Sequence, residues 1–236
     1  MPVPATTGQL RTRIEDTQIG DYIKTGYFTQ TSINLYGGIT GAGSDIPPGS
    51  PYDTNEIPLT GFGSGNTATA GYFYFIKVAK GLLIADRVIH NQISWDTLNS
   101  NKAIQGYPKT LTGIQGIIRS LTGGVAYADA NGNKSTTDQG YGGWPTNNEW
   151  DKYINRFPQE LIQSGKTLDD VFHSKNIGTW TQDTPQLGII INSSSSTASD
   201  RMIRRELGAP YHIHKVTSNT SGTLIGFRPV FEYIES

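Results

Sequence analysis

The sequence predicts an α+β domain, mixed in architecture and rich in short strands and long loops, with one or two short helices and an N-terminal attachment segment. Three observations carry this. The 236 residues include 28 glycines and 12 prolines but only 17% charged residues, a balance that divides a chain into short elements joined by turns. The run from Tyr72 to Val78 is almost wholly aromatic or β-branched. After Trp144, a Pro-Thr-x-x-Glu start signal leads into an apolar stripe at helical spacing.

Residues 1–70 read as the attachment segment and a Gly/Pro-rich loop, and residues 71–236 as the main domain. Thr12 to Ile23 is a polar lead into one or two strands, expected to dock on a neighbour, with Gly26 to Thr29 as strand material. Between Gly37 and Gly71 the chain is mostly Gly, Ser, Thr, Asn and Pro, with Pro47, Pro48 and Pro51 as turn formers, so a long loop is expected. Tyr72–Val78 then reads as a central strand and Leu82–His90 as its successor. Ser94 is placed as the N-cap of a short helix.

Around Trp144, Thr146 and Glu149 have the spacing of a capping box. Trp150, Tyr153, Ile154 and Phe157 follow at i, i+3, i+4 and i+7, a stripe that faces a core, and Pro158 discourages continuation. Thr179–Thr181 and Leu187–Ile191 read as strands separated from the next by a flexible polar loop, Asn192–Ser199. Met202, Ile203 and the stretch Tyr211–Val216 continue the pattern. In the closing segment Val230 and Phe231 are expected on opposite faces of a last strand.

Composition removes several function classes. Nineteen basic against 20 acidic residues give a net charge of −1, with no field to gather a phosphate backbone, so nucleic acid is not an expected partner. No stretch approaches the roughly 20 apolar residues of a membrane span, and Met1–Thr7 lacks the basic start and apolar run of a secretory signal. Membrane insertion and signal-directed export are therefore not expected. The chain has no cysteine, which excludes disulfides, thiolate metal sites and thiol catalysis.

Chemistry-bearing patterns are sparse. His212 and His214 would share one face of a strand, a spacing that suits a metal held between protomers; with no third ligand nearby, a polar strand face accounts for them better. Asp129 opens an Asx-rich turn resembling a calcium loop, but Lys134 and Gly140 stand where an EF-hand needs Gly and Glu. Glu149, Asp169, Asp170 and Asp183 are the only carboxylates considered for hydrolysis, with Glu149 assigned to capping. Phe62 replaces the first glycine that a serine-nucleophile elbow around Ser64 would need. No enzyme activity and no cofactor are expected.

Four landmarks follow one another: Trp144-Pro-Thr-Asn-Asn-Glu-Trp150, Gly178-Thr-Trp-Thr-Gln-Asp183, Arg201-Met-Ile-Arg-Arg205 and Gly226-Phe-Arg-Pro-Val230, with Ile93-Ser-Trp-Asp96 before them. In that order they resemble the C-type-lectin-like fold in its formylglycine-generating-enzyme version. The resemblance implies a lectin-like domain whose Arg204 and Arg228 tie strands together, Arg201 being an alternative to Arg204. It cannot imply that enzyme's chemistry, which works through cysteines. The stretches Lys80–Arg87, Arg119–Gly124, Asn148–Ile154 and Gly226–Tyr233 also resemble structural proteins of tailed phages and prophages of Gram-positive bacteria. That second resemblance implies a virion protein made in the host cytoplasm, homo-oligomeric and in contact with other virion proteins.

On a phage tail, such a module would bind a host surface glycan or protein through exposed loops rich in Asn, Ser, Gly and aromatic residues. Loops 125–144, 173–200 and 217–222 have that composition, and Tyr141, Trp180, Asn176, Asn192 and Tyr211 are the candidate ligand-binding residues. The alternative role is a capsid decoration or tail-assembly subunit with no receptor.

Overall fold

The aromatic run at Tyr72 forms the longest described strand, because its alternate side chains find apolar partners on both faces of a sheet. The computed structural model describes residues 3–28, 38–46, 50, 53–63, 70–205 and 213–235. The first strands are β1 (Leu10–Arg11), β2 (Tyr22–Phe28), β3 (Ala70–Ala79), β4 (Leu82–Ala85) and β5 (His90–Asn91). Helix α1 (Trp95–Ser100) precedes β6 (Tyr107–Leu111), β7 (Ile114–Arg119), β8 (Ala126–Ala128), β9 (Lys134–Ser135) and β10 (Gly143–Trp144). A π-helical turn (Trp150–Asn155) and α2 (Leu168–Phe172) lead to β11 (Gly178–Trp180), β12 (Ile190–Ile191) and β13 (Ser194–Ser195). The chain closes through β14 (Asp200–Arg204), β15 (Ile213–Thr217), β16 (Ile225–Phe227) and β17 (Val230–Tyr233).

These elements make a mixed α+β fold, mostly strands with a few short helices. A curled seven-stranded sheet has the order β1-β2-β3-β4-β17-β7-β6, and a five-stranded sheet the order β15-β14-β11-β16-β5. The last strand, β17, inserts between β4 and β7, pairing Phe231 with both Leu83 and Ile118. Between β3 and β4, Gly81 takes a left-handed φ of +69°, and a Cβ there would stand 2.4 Å from the Tyr233 carbonyl oxygen, so the turn requires glycine.

Strand alternation creates a core on each side of the larger sheet. Phe73, Phe75, Leu83 and Phe231 point toward the five-stranded sheet, meeting Trp180, Ile203, Phe227 and the α1 side chains Trp95 and Leu98. Tyr74, Ile76, Ile84 and Val230 point the other way, onto Trp150, Ile154, Phe157, Val171 and Phe172. Val230 and Phe231 thus occupy opposite faces, as their adjacency predicts. Ser94 caps α1 by accepting from the Thr97 amide.

Residues 1–70 were read as an attachment segment and a Gly/Pro-rich loop; their described part packs into the same body as the rest of the chain. Strand β2 pairs with β3 over seven residues, and Ile14, Ile23 and Tyr27 are buried in the main core, because those apolar side chains complete the inner face of the sheet. The described part of the loop after β2 is strapped to the same body through bridges from Ser44 to Gly26, Glu56 to Tyr72 and Phe62 to His90.

One expectation is corrected, the cap at Trp150. The turn and its buried stripe form, but the Thr146/Glu149 box does not. Asn148 accepts from the Asp151 amide at 2.9 Å, while Glu149 turns away to meet Arg119 and to accept from the Thr122 amide. An arginine 30 residues upstream in sequence offers the Glu149 carboxylate a charge-assisted pair, which is stronger than a neutral backbone donor.

Candidate binding surface

A satellite core stands beside the five-stranded sheet. Ala126, Tyr127, Ile189, Ile191, Met202 and Ile213 are buried together, with Val125 and Trp144 packed against them. They come from β8, β12, β14 and β15, so this core fixes the roots of the loops between those strands. The small sheet β10-β8-β9 forms one wall and the β12–β13 hairpin another.

The hairpin is built by local chemistry. Asn192 and Ser193 both adopt positive φ, 52° and 62°, the mirror-image turn that matches strand twist, and Asn tolerates it. Ile191 faces Ser194 across it. Ser196 Oγ donates to the Ile189 carbonyl at 2.9 Å and also contacts that of Gln186. The polar stretch Asn192–Ser199, expected as a flexible loop, is therefore partly an ordered hairpin arm.

Two apolar side chains are left in water on this rigid base. Leu187 is 73% exposed and Ile190 56%, whereas Ile189 and Ile191 are buried. Leu187–Ile191 was expected to be a strand throughout; only Ile190 and Ile191 are strand, since Gly188 at φ +78° turns the chain before them. The signal for Ile190 was present in the period-two pattern that places Ile189 and Ile191 inside.

Of the candidate ligand residues, Tyr141 and Asn192 fall on this surface. Tyr141 is 46% exposed in the loop between β9 and β10, and Asn192 is exposed at the hairpin tip, where its side-chain amide contacts His214 Nδ1. Asn176 is exposed on the turn between α2 and β11, and none of the described hydrogen bonds joins it to the hairpin. Tyr211 and His212 lie outside the described residues.

Trp180 is a correction. It is fully buried on β11, a strand flanked by β14 and β16, and its indole N–H donates to the Ile93 carbonyl at 2.8 Å. It presents no stacking face to a ligand, because an inner strand turns its large side chain into the main core.

Beneath the surface, buried charges tie the layers together. Arg204 Nη2 meets Asp151 Oδ1 at 2.6 Å and Arg204 Nη1 donates to the Gly123 carbonyl at 2.6 Å. Burial acts to raise the Asp151 pKa, but Arg204, Asn148 and the Gly143 amide together hold it below the ordinary carboxylate value. Arg228 is wholly buried without an ion pair among the described residues; it donates to the Ala85 carbonyl at 2.8 Å, and burial lowers its pKa to about 10. The two guanidinium groups lie 5.8 and 6.0 Å from the Trp150 ring centroid. Arg201 instead lies over Trp95, at 4.4 Å.

The carboxylates considered for hydrolysis do not converge. Asp170 forms a capping box with Thr167, Asp169 accepts from the Lys175 amide, and Asp183 accepts from the Gly123 and Gly124 amides. Burial raises the Asp183 pKa despite those amides. Asp129 accepts from the Asn131 and Asn133 amides, which accounts for its Asx-rich turn. Among the described residues, no group of three or more His, Asp or Glu side chains is placed to hold a metal ion. No helix among the described residues is long and apolar enough to cross a membrane. No family model, curated protein or solved structure matches the chain.

Proposed function

We propose that this chain is a structural protein of a tailed-phage virion, carried on the tail, and that its hairpin and neighbouring loops bind a glycan or protein of the host surface. The observation that carries this reading is the exposure of Leu187, Ile190 and Tyr141 on loops rooted in a core of their own. A stiff base with apolar tips gives contact area at small entropic cost, and several copies on one particle would multiply a weak affinity.

The lectin-like reading of the fold belongs to this proposal. It is supported by the convergence of its landmarks: Arg204 and Arg228 both approach the Trp150 ring, at 5.8 and 6.0 Å, and Trp180 shares a core with Phe227. A second reading, a capsid decoration or tail-assembly subunit, is favoured by another observation. Val3, Leu10 and Ile19 are exposed along the N-terminal segment, a surface suited to neighbouring virion proteins.

The readings separate in a binding experiment with the purified chain on glycan arrays and host cells. Binding that is lost in Leu187→Asp, Ile190→Asp and Tyr141→Ala, with melting temperatures unchanged, supports the receptor role. Binding only to other virion proteins, abolished by Leu10→Asp or Ile19→Asp, replaces it with the assembly role.

A further inference from the structure

We infer that the groove where β14 and β15 meet the approach to β16 holds a small carboxylate bearing a short branched apolar group. The inference does not depend on the virion role. The groove encloses about 220 Å³ between Gly178, Ile203, Val216, Leu224 and Ile225, with Arg205 and His214 at its polar end. That is about seven times the ~30 Å³ occupied by one liquid water and below the ~300 Å³ of a drug-sized site, so it suits a fragment the size of a single side chain.

Strand geometry puts these groups together. Ile203 and Arg205 project from one face of the β14 segment, and His214 and Val216 from the same face of β15, because Ile203 is in register with His214. Continuing the β11 register, in which Thr179 opposes Arg204, places Gly178 opposite Arg205. A Cβ at Gly178 would meet Ile203 Cγ2 at 2.6 Å, so the missing side chain is what keeps the groove open.

The electrostatics define the missing partner. Among the described residues, Arg205 makes no ion pair, its buried Nε has no hydrogen-bond acceptor, and no acid lines the groove. Its one described polar contact is Nη2 to His214 Nε2 at 3.3 Å. A guanidinium can only donate, so Nε2 is the lone-pair nitrogen and Nδ1 carries the proton. Burial lowers the Arg205 pKa, the direction expected of a cation without a counter-charge. A carboxylate supplies that charge in the bidentate geometry a guanidinium fits, and the aliphatic walls receive a branched tail.

The test is titration of the full chain with isovalerate, followed by NMR shifts of the Gly178, Val216 and Ile225 amides. Saturable shifts in the millimolar range are expected. The uncharged isostere isovaleramide and inorganic phosphate alone should each bind at least tenfold more weakly, about 1.4 kcal/mol. Arg205→Gln should lose tenfold or more. Leu224→Glu, at an exposed position on the rim, should weaken isovalerate through like charge without altering the fold. Absence of shifts, equal affinity for isovaleramide, equal affinity for phosphate, or unchanged binding in Leu224→Glu would each overturn the assignment.

Discussion

Arg204 and Asp151, 53 residues apart in sequence, form an ion pair in which both side chains are almost completely removed from water. It fastens β14 to the π-helical turn, and Asn148 and the Gly143 amide complete the carboxylate's hydrogen bonds. A buried pair is a poor substitute for apolar packing, yet removing one partner leaves the other charged and dry. Asp151→Ala should therefore cost about 3–5 kcal/mol, read as a lower urea midpoint. The double variant Asp151→Ala/Arg204→Met should lose less than the sum of its single variants.

Asp151 and Asp183 should give opposite responses to acid. Asp151 is held below its ordinary value of 3.8, so its stabilisation is complete above that value and is lost as pH falls through the lower folded-state value. Asp183 is held above 3.8, so it favours the folded state increasingly as pH falls through its raised value. Urea midpoints measured across the acid range should fall less steeply below 3.8 for Asp151→Asn than for the parent. Asp183→Asn should remove the opposing trend at and above that pH.

The position of the helical cap can be tested by single truncations. Asn148 accepts from the Asp151 amide and donates to the Gly143 and Pro145 carbonyls and to the Asp151 carboxylate. Asn148→Ala should cost about 1–3 kcal/mol because buried partners lose their mates. Thr146→Ala should stay within about 0.5 kcal/mol. Equal losses in thermal or urea unfolding would restore the capping box at Thr146.

Residues 71–236 should not fold alone. Without β2 the β3 edge is unpaired over seven residues, and the core loses Ile14, Ile23 and Tyr27. The fragment should lack near-ultraviolet dichroism and dispersed amide resonances. A folded fragment would make the N-terminal segment the separable attachment arm that composition suggests.

Legibility in the sequence followed the range of the forces involved. The strand at Tyr72–Val78, the Ser94 cap and the stripe Trp150, Tyr153, Ile154 and Phe157 are set by propensity and spacing within a few residues, and each appears in the fold. The exposure of Asn192 and Tyr141 was legible because turn and loop chemistry is also local. Glu149 was misassigned because its partner Arg119 comes from a distant strand. Trp180 was misassigned because nothing in its neighbourhood tells an inner strand from an exposed one. The groove beside Arg205 carried no sequence signal, since it depends on Gly178 and Leu224 coming from other strands and turns.

The amino-acid order alone determined that this is a cysteine-free, strand-rich α+β protein with capped short helices, because period, propensity and composition act over single turns and strands. Only the tertiary structure decided that the N-terminal residues belong to the core, that Arg204 pairs with Asp151, and which apolar side chains remain in water. Those outcomes depend on which distant surfaces meet and exclude solvent, and burial is a property of the assembled layers rather than of any local stretch.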